Sequence, residues 1–238
     1  MQKSDDPDFI HKEHPKRFAR DDFWSQIKRT VNGQPVSEHD IQLIVGQIER
    51  HIHFSATSHL LDIGCGNGAL AARLFQRIAK YTGVDFSPYL LEIAREYFRP
   101  NENVAYIESD ARAFVTNHTA TQTIDKVMLY GCMSYFSRDD FRAMSGALVA
   151  RFHNVDTVFL GNVPDISSAA DFFAARQIAS YELGNPHTPI GVWWAQQELV
   201  SLGTQLGFSA RCVKMPPEFY GHRYRFDVIW SKRHEASQ

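Results

Sequence analysis

The chain has 238 residues, with 25 Lys+Arg against 27 Asp+Glu, a formal net charge of −2, 44% apolar residues and 22% charged ones. These are ordinary globular values, and a chain this long can bury about 70–75% of its unfolded surface without disulfide or metal staples. The balanced charge argues against a dedicated nucleic-acid binder, whose phosphate contacts need a Lys/Arg excess. No apolar run approaches the ~20 residues of a membrane span, and the charged stretch 1–20 does not read as a signal peptide. Three widely spaced cysteines, Cys65, Cys132 and Cys212, contain no CxxC pair and suggest neither a disulfide framework nor a zinc site. The expectation is a soluble, cytoplasmic protein with no metal, no membrane and no nucleic-acid partner.

Residues 1–36 read as an N-terminal arm or lid. They are rich in charge, carry Phe9, Phe18, Phe23 and Trp24, and suggest one short helix around 21–30 before Asn32-Gly33 and Pro35 break the chain. The main domain, 37–238, opens on a capping box of Ser37 and Asp40. Ile41, Ile44, Val45, Ile48 and Ile52 then recur at helical spacing. A strand at 59–63 runs into a glycine cluster. A helix is expected at 69–80, with Leu70, Leu74, Phe75 and Ile78 inward, and a strand at 81–85. Ser87 is placed to cap a helix whose first position is Pro88, where a missing N–H costs nothing; Pro100 stops it. Strand 104–108, helix 111–117, strand 126–130, a helix opened by Ser137 and Asp140, and strand 157–161 follow. Such alternation predicts an α/β fold with a parallel sheet and helices on both faces. Residues 164–192 read as an aromatic insertion with a helical stretch at 169–181, suited to capping a substrate. A helix at 194–206 ends at Gly207. Strands 208–214 and 226–232 have no helix between them, so they should form a hairpin that reverses one strand.

The segment Leu61-Asp62-Ile63-Gly64-Cys65-Gly66-Asn67-Gly68 follows a strand and opens a helix, the context of a ligand-binding turn. Gly64, Gly66 and Ala69 also satisfy the dinucleotide pattern GxGxxA, with Asp85 where a ribose-binding acid belongs. Asp62 separates the two readings. Its carboxylate, just before the glycines, would repel a pyrophosphate and attract an ammonium or sulfonium. S-adenosylmethionine carries both cations.

At this point the sequence resembles the class I S-adenosylmethionine-dependent methyltransferases, over roughly residues 37–233. Leu61 to Gly68 looks like that family's first motif. Tyr81-Thr82-Gly83-Val84-Asp85-Phe86-Ser87 looks like its second, Ser109-Asp110-Ala111 its third, and Ile124 to Gly131 its fourth strand. The resemblance implies a Rossmann-like, seven-stranded, mostly parallel sheet with the last strand antiparallel. It implies S-adenosylmethionine as methyl donor, S-adenosylhomocysteine as product, and a donor site of Asp62, Gly64, Cys65, Gly66, Asp85, Phe86, Asp110, Ala111 and Tyr130. Asp85 then takes the ribose hydroxyls and Asp110 the adenine amino group, both donors that suit an acceptor-only carboxylate. Ile107 and Ala111 would flank the adenine.

Methyl transfer is an in-line displacement, driven by positioning and by exclusion of water. A base is needed only when the acceptor must lose a proton during attack. His187, Tyr135 and His222 are the candidate catalytic residues, histidine having the useful pKa near neutrality. His11 and His14 read as solvated. Phe23, Trp24, Phe172, Phe173, Tyr181, Trp193 and Trp194 are candidates for a lid over a flat or apolar acceptor, and Arg29, Arg176, Arg223 and Arg225 for holding an anionic one. The expected activity is methylation of O or N on a small molecule. Competing readings are an NAD-dependent oxidoreductase, a nucleic-acid or protein methyltransferase, and a non-catalytic cofactor-binding scaffold. Asp62 opposes the first. The absence of an Asn/Asp/Ser-Pro-Pro-aromatic motif after the fourth strand opposes the nucleic-acid enzymes.

Overall fold

The structure, a computed structural model, describes residues 9–232. The chain begins with two one-turn helices, α1 (Phe9–Lys12) and α2 (Phe23–Gln26), and a small hairpin of β1 (Thr30–Val31) and β2 (Gln34–Pro35). Helix α3 (Glu38–Ile52) leads into β3 (His59–Ile63), β4 (Lys80–Asp85), α4 (Pro88–Tyr97), β5 (Val104–Glu108), α5 (Ala111–Asn117), β6 (Lys126–Tyr130), α6 (Arg138–Arg151) and β7 (Thr157–Pro164). The chain ends with α7 (Ala169–Ala174), α8 (Gln196–Gln205), β8 (Ser209–Val213) and β9 (Arg225–Ser231). Seven strands form one sheet in the order β5-β4-β3-β6-β7-β9-β8. Strands β3 to β7 pair in parallel, while β9 runs antiparallel to both β7 and β8. The seven strands, the parallel majority and the reversed last strand are those the sequence led us to expect.

Period-two alternation sends successive strand residues to opposite faces. Leu61, Val127, Leu129, Val158, Leu160, Val228 and Trp230 share one buried cluster with residues of α5, α6 and α8. Leu60, Met128, Tyr130, Phe159 and Ile229 share the other with Ile41, Ile44, Ile48 and Ile52 of α3 and Leu91 of α4. The four isoleucines of α3 are at most 1% exposed, and burying each contributes about 1.5–3 kcal/mol. Reciprocal bonds cap that helix: Asp40 N–H donates to Ser37 Oγ at 3.1 Å, and Ser37 N–H to Asp40 Oδ2 at 3.3 Å.

Several local expectations differ from the fold. The helix expected at 21–30 is a single turn, capped by Asp22, whose carboxylate accepts from Ser25 N–H. Lys28 at φ 54° ends it, and Asn32 and Gly33 at φ 51° and 77° make the tight turn of the β1–β2 hairpin. The segment expected as an α-helix at 69–80 is a 3-10 run, Ala71–Arg77. Its rise of about 2.0 Å per residue, against 1.5 Å in an α-helix, lets a short connection reach back to the start of β4. Its three-residue period also buries Ala71 and Leu74 together. Ser87 occupies the cap position of α4, but its hydroxyl donates instead to the His11 carbonyl at 2.8 Å. The helix expected at 169–181 is short, α7, and Gln177 at φ 56° turns the chain soon after it. Strand β7 runs on to Pro164 through a bulge between Leu160 and Val163.

The arm is tied down at three places. Asn67, fully buried, donates through Nδ2 to Phe23 O at 2.8 Å and Gln26 Oε1 at 2.9 Å. Ser87 holds the His11 carbonyl, and Arg20 pairs with Glu92 and Glu96 of α4. The first two bonds come from the loop after β3 and the loop after β4, so the arm lies over the carboxyl ends of those strands.

Candidate active site

The strand order reverses between β3 and β6, since β4 and β5 are added on one side and β6 and β7 on the other. Open α/β sheets bind ligands at the carboxyl ends of strands at such a switch point. A cavity of about 1010 Å³ opens there. The glycine loop forms one wall, with Gly64, Gly66 and Gly68 at φ 72°, 57° and 76°. A Cβ on Gly64 would lie 2.6 Å from Cys132 Cβ, so only glycine lets the loop approach the end of β6.

Most of the loop's N–H groups are already used. Gly64 and Cys65 donate to Val84 O at 2.8 and 3.1 Å, and Gly66 donates to Asp85 Oδ2 at 2.9 Å. Ala69 N–H donates to Asn67 Oδ1 at 3.3 Å. A dinucleotide site needs such N–H groups free for pyrophosphate; here they close on the protein, and the wall presents carboxylates instead.

Asp62 is 4% exposed, and its Oδ2 accepts from Tyr81 OH at 2.9 Å. Burial pushes its carboxyl up to about 7, aided by the charge of Asp85 and opposed by the Tyr81 hydrogen bond and by Arg29. Asp85 is also raised by burial, against the pull of the backbone N–H groups of Ser87, Gly66 and Phe86. Near Asp62, close enough for its charge to act on that carboxyl, is Arg29, from the arm. It is 9% exposed, lies 4.7 Å from the centre of the Tyr130 ring, and its Nη1 has no hydrogen-bond partner. The Tyr130 hydroxyl and Asn162 Oδ1 are likewise buried without partners. Unsatisfied buried polar atoms are costly, and their gathering in one cavity points to a ligand that meets them.

Residues 60–151 match the family described as "Methyltransferase domain". The chain is 32% identical over 132 residues to a trans-aconitate 2-methyltransferase of Enterobacter sp. (strain 638), a match covering 55% of this chain and 48% of that one. It is 39% identical over 64 residues to a ubiquinone biosynthesis O-methyltransferase of Saccharophagus degradans, covering 26% of this chain and 27% of that one. These matches span half or less of each relative's own length. Among solved structures, the magnesium protoporphyrin IX methyltransferase of Synechocystis PCC 6803 with bound SAH superposes with a TM-score of 0.61 at 15% identity, over 82% of this chain and 84% of that one. The N-methyltransferase NodS of Bradyrhizobium japonicum WM9 does so with a TM-score of 0.54 at 13% identity, over 83% and 96%.

All nine residues expected at the donor site line the cavity: Asp62, Gly64, Cys65, Gly66, Asp85, Phe86, Asp110, Ala111 and Tyr130. Asp110 has a second occupation, its Oδ1 capping α5 by accepting from Arg112 and Ala113 N–H at 3.0 Å each. Ile107 turns into the core instead. Of the three catalytic candidates, Tyr135 and His187 reach the cavity and His222 does not. The His222 ring bonds the Met215 carbonyl through Nδ1 at 2.5 Å, which holds it within the β8–β9 connection. Burial raises the Tyr135 hydroxyl, which sits 3.3 Å from Pro189 O, so at neutral pH it is a donor and not a base.

The expected tryptophan lid is absent among the described residues. Trp193 is fully buried with Phe172 and Phe173, and Trp194 lies in the sheet core against Phe141. The insertion instead sends His187, Pro189 and Ile190 to the cavity. His11 and His14 are not solvated: His11 packs edge-on against Tyr135 and Phe86, and His14 Nε2 lies 3.1 Å from Ser25 O. Of the four arginines weighed for an anion, Arg29 and Arg225 line the cavity; Arg176 stacks on Phe172. Asn67 and Tyr81, which hold the arm and Asp62, gave no sequence signal, because their partners lie 19 to 44 residues away.

Proposed function

We propose that this domain transfers a methyl group from S-adenosylmethionine to a small-molecule acceptor. The observation that carries the reading is the closed glycine loop flanked by buried charges of opposite sign, Asp62 and Arg29. An amino-acid zwitterion matches that pair, its ammonium toward Asp62 and its carboxylate toward the open Nη1 of Arg29. Asp85 stands at the end of β4 with lone pairs left for ribose hydroxyls beyond those taken by backbone N–H groups. When bound, the donor supplies a methyl on a positive sulfur, which leaves as a neutral thioether while the acceptor's lone pair forms the new bond.

The chain's own part is positioning and shielding. The described part of the arm, residues 9–36, is clasped through Asn67 and Ser87 and covers the site from water, which supports reading the arm as a lid over the domain that begins at 37. His187 is the base for an acceptor that must lose a proton, with Tyr135 as an orienting donor. A small acceptor is favoured by the roofed cavity, by the near-neutral charge and by relatives named for trans-aconitate and ubiquinone biosynthesis. Calorimetry with S-adenosylhomocysteine and with NAD tests the reading. Micromolar binding of the first and none of the second is expected; the reverse pattern would end it. Labelled methyl transfer into a metabolite extract then separates an enzyme from a binding scaffold.

A further inference from the structure

Beside Arg29, the cavity holds a second positive charge that no carboxylate answers among the described residues. Arg225 opens β9 and lines the cavity with Tyr220 and Tyr224. Among the described residues it pairs with no carboxylate; its Nη1 donates to the Asn162 carbonyl at 3.0 Å. The acids nearby are committed elsewhere. Asp227, two residues on and fully buried, accepts from Asn162 N–H at 2.7 Å and Gln47 Nε2 at 3.2 Å. Asp140, on the opposite rim, pairs with Arg112.

Asn162 is itself unusual. It sits in the β7 bulge at φ 61°, a left-handed conformation that is costly for a residue with a side chain and that clusters at functional sites. The bulge brings its amide to the end of β6, where a Cβ on Gly131 would lie 3.6 Å from Nδ2. The Tyr130 hydroxyl is buried and unpartnered, a donor without an acceptor, while of the Asn162 amide only Nδ2 can donate to an anion, its buried Oδ1 being an acceptor that awaits a donor. A guanidinium, a phenol and an amide thus converge where the chain supplies no anion. The Asp62–Arg29 pair already matches the donor's two amino-acid charges, so Arg225 is left over.

We propose that Arg225, with the Tyr130 hydroxyl and the Asn162 amide, binds a carboxylate of the methyl acceptor, making the substrate class a small carboxylic acid. The inference rests on the donor reading above. One planar, singly charged group suits one guanidinium fork and a phenol donor. A phosphate's greater charge would call for more cations than this part of the cavity provides. The surrounding Tyr135, Pro189 and Ile190 suit a flat or apolar remainder.

The experiment titrates protein saturated with S-adenosylhomocysteine with benzoate, cinnamate and crotonate, each against its neutral amide. At least one acid should bind tenfold or more tighter than its amide. Arg225→Gln should bring that acid to the amide's affinity while S-adenosylhomocysteine stays within twofold of wild type. Tyr130→Phe, which deletes one oxygen, should weaken the acid several-fold and serves if Arg225→Gln does not fold. Arg29→Gln should instead weaken S-adenosylhomocysteine tenfold or more. No acid preferred over its amide, including no acid bound at all, overturns the inference alone. A tenfold loss of S-adenosylhomocysteine in Arg225→Gln overturns it too, by giving that arginine to the donor's carboxylate. Failure of wild type to bind S-adenosylhomocysteine sinks the donor reading and this inference with it.

Discussion

Replacing Asp62 by Asn removes a buried charge while keeping an acceptor for the Tyr81 hydroxyl. The folded carboxyl titrates at about 7 against an ordinary 3.8. Between those values the native state holds a proton that the unfolded chain has lost, so wild-type stability falls as pH rises from about 4 to about 7, then levels off. At 1.36 kcal/mol per unit, the full cost approaches about 4 kcal/mol at pH 8. Asn does not titrate. The variant should therefore match wild type near pH 4 and exceed it by up to about 4 kcal/mol at pH 8, on the order of 10 °C in Tm for a chain of this size. Thermal unfolding from pH 4 to pH 8 measures the gap, and calorimetry on the same samples should show S-adenosylhomocysteine binding lost or severely weakened. A gain in Tm that is equal at every pH, or absent at pH 8, would refute the argument that desolvation of this carboxylate is a standing cost.

The same group sets a pH dependence of ligand uptake. An ammonium favours ionised Asp62, so wild-type affinity for S-adenosylhomocysteine should rise with pH up to about 7 and then flatten, and isothermal titration at four pH values should find no such rise in Asp62→Asn. Gly64→Ala places a Cβ 2.6 Å from Cys132 Cβ at φ 72°, and urea unfolding should record a loss of about 2–5 kcal/mol; a loss below 1 kcal/mol would mean that the loop relaxes freely. Asn67→Ala removes two buried hydrogen bonds to the arm and should cost about 1–3 kcal/mol. Hydrogen exchange should then quicken in residues 23–29 and leave β3 and β6 protected; equal acceleration in both would deny the clasp.

The sheet was legible because its signals are local. Val127 to Tyr130 and Val104 to Glu108 are short apolar runs between turn residues, and Ser37 with Asp40 announces α3 within four letters. The glycine loop was legible for the same reason, since glycines, strand and flanking acids adjoin in sequence. What failed depends on distance or packing. Nothing local says that residues 71–77 must stretch as a 3-10 helix to meet β4. Trp193 and Trp194 looked like lid residues by composition, yet they serve the core, because the short bridge between Asp165 and Trp194 draws that segment against the end of β7. His222 was singled out for its chemistry, and its ring is spent on a carbonyl seven residues away. Arg29 and Arg225 were two of four arginines weighed for an anion; it took the fold to bring an arm residue and a β9 residue, 196 positions apart, to one cavity, with no ion pair to either among the described residues.

The direction of β9 has its own consequence. Parallel strands offer a site only their last residues. A strand laid head to tail against them offers its first, together with the loop that leads into it. That single reversal delivers Tyr220, Tyr224 and Arg225 to the rim from a segment more than 150 residues after the glycine loop. Substitutions or insertions in residues 214–225 can therefore reshape that rim without disturbing the loop and acids of β3 and β4.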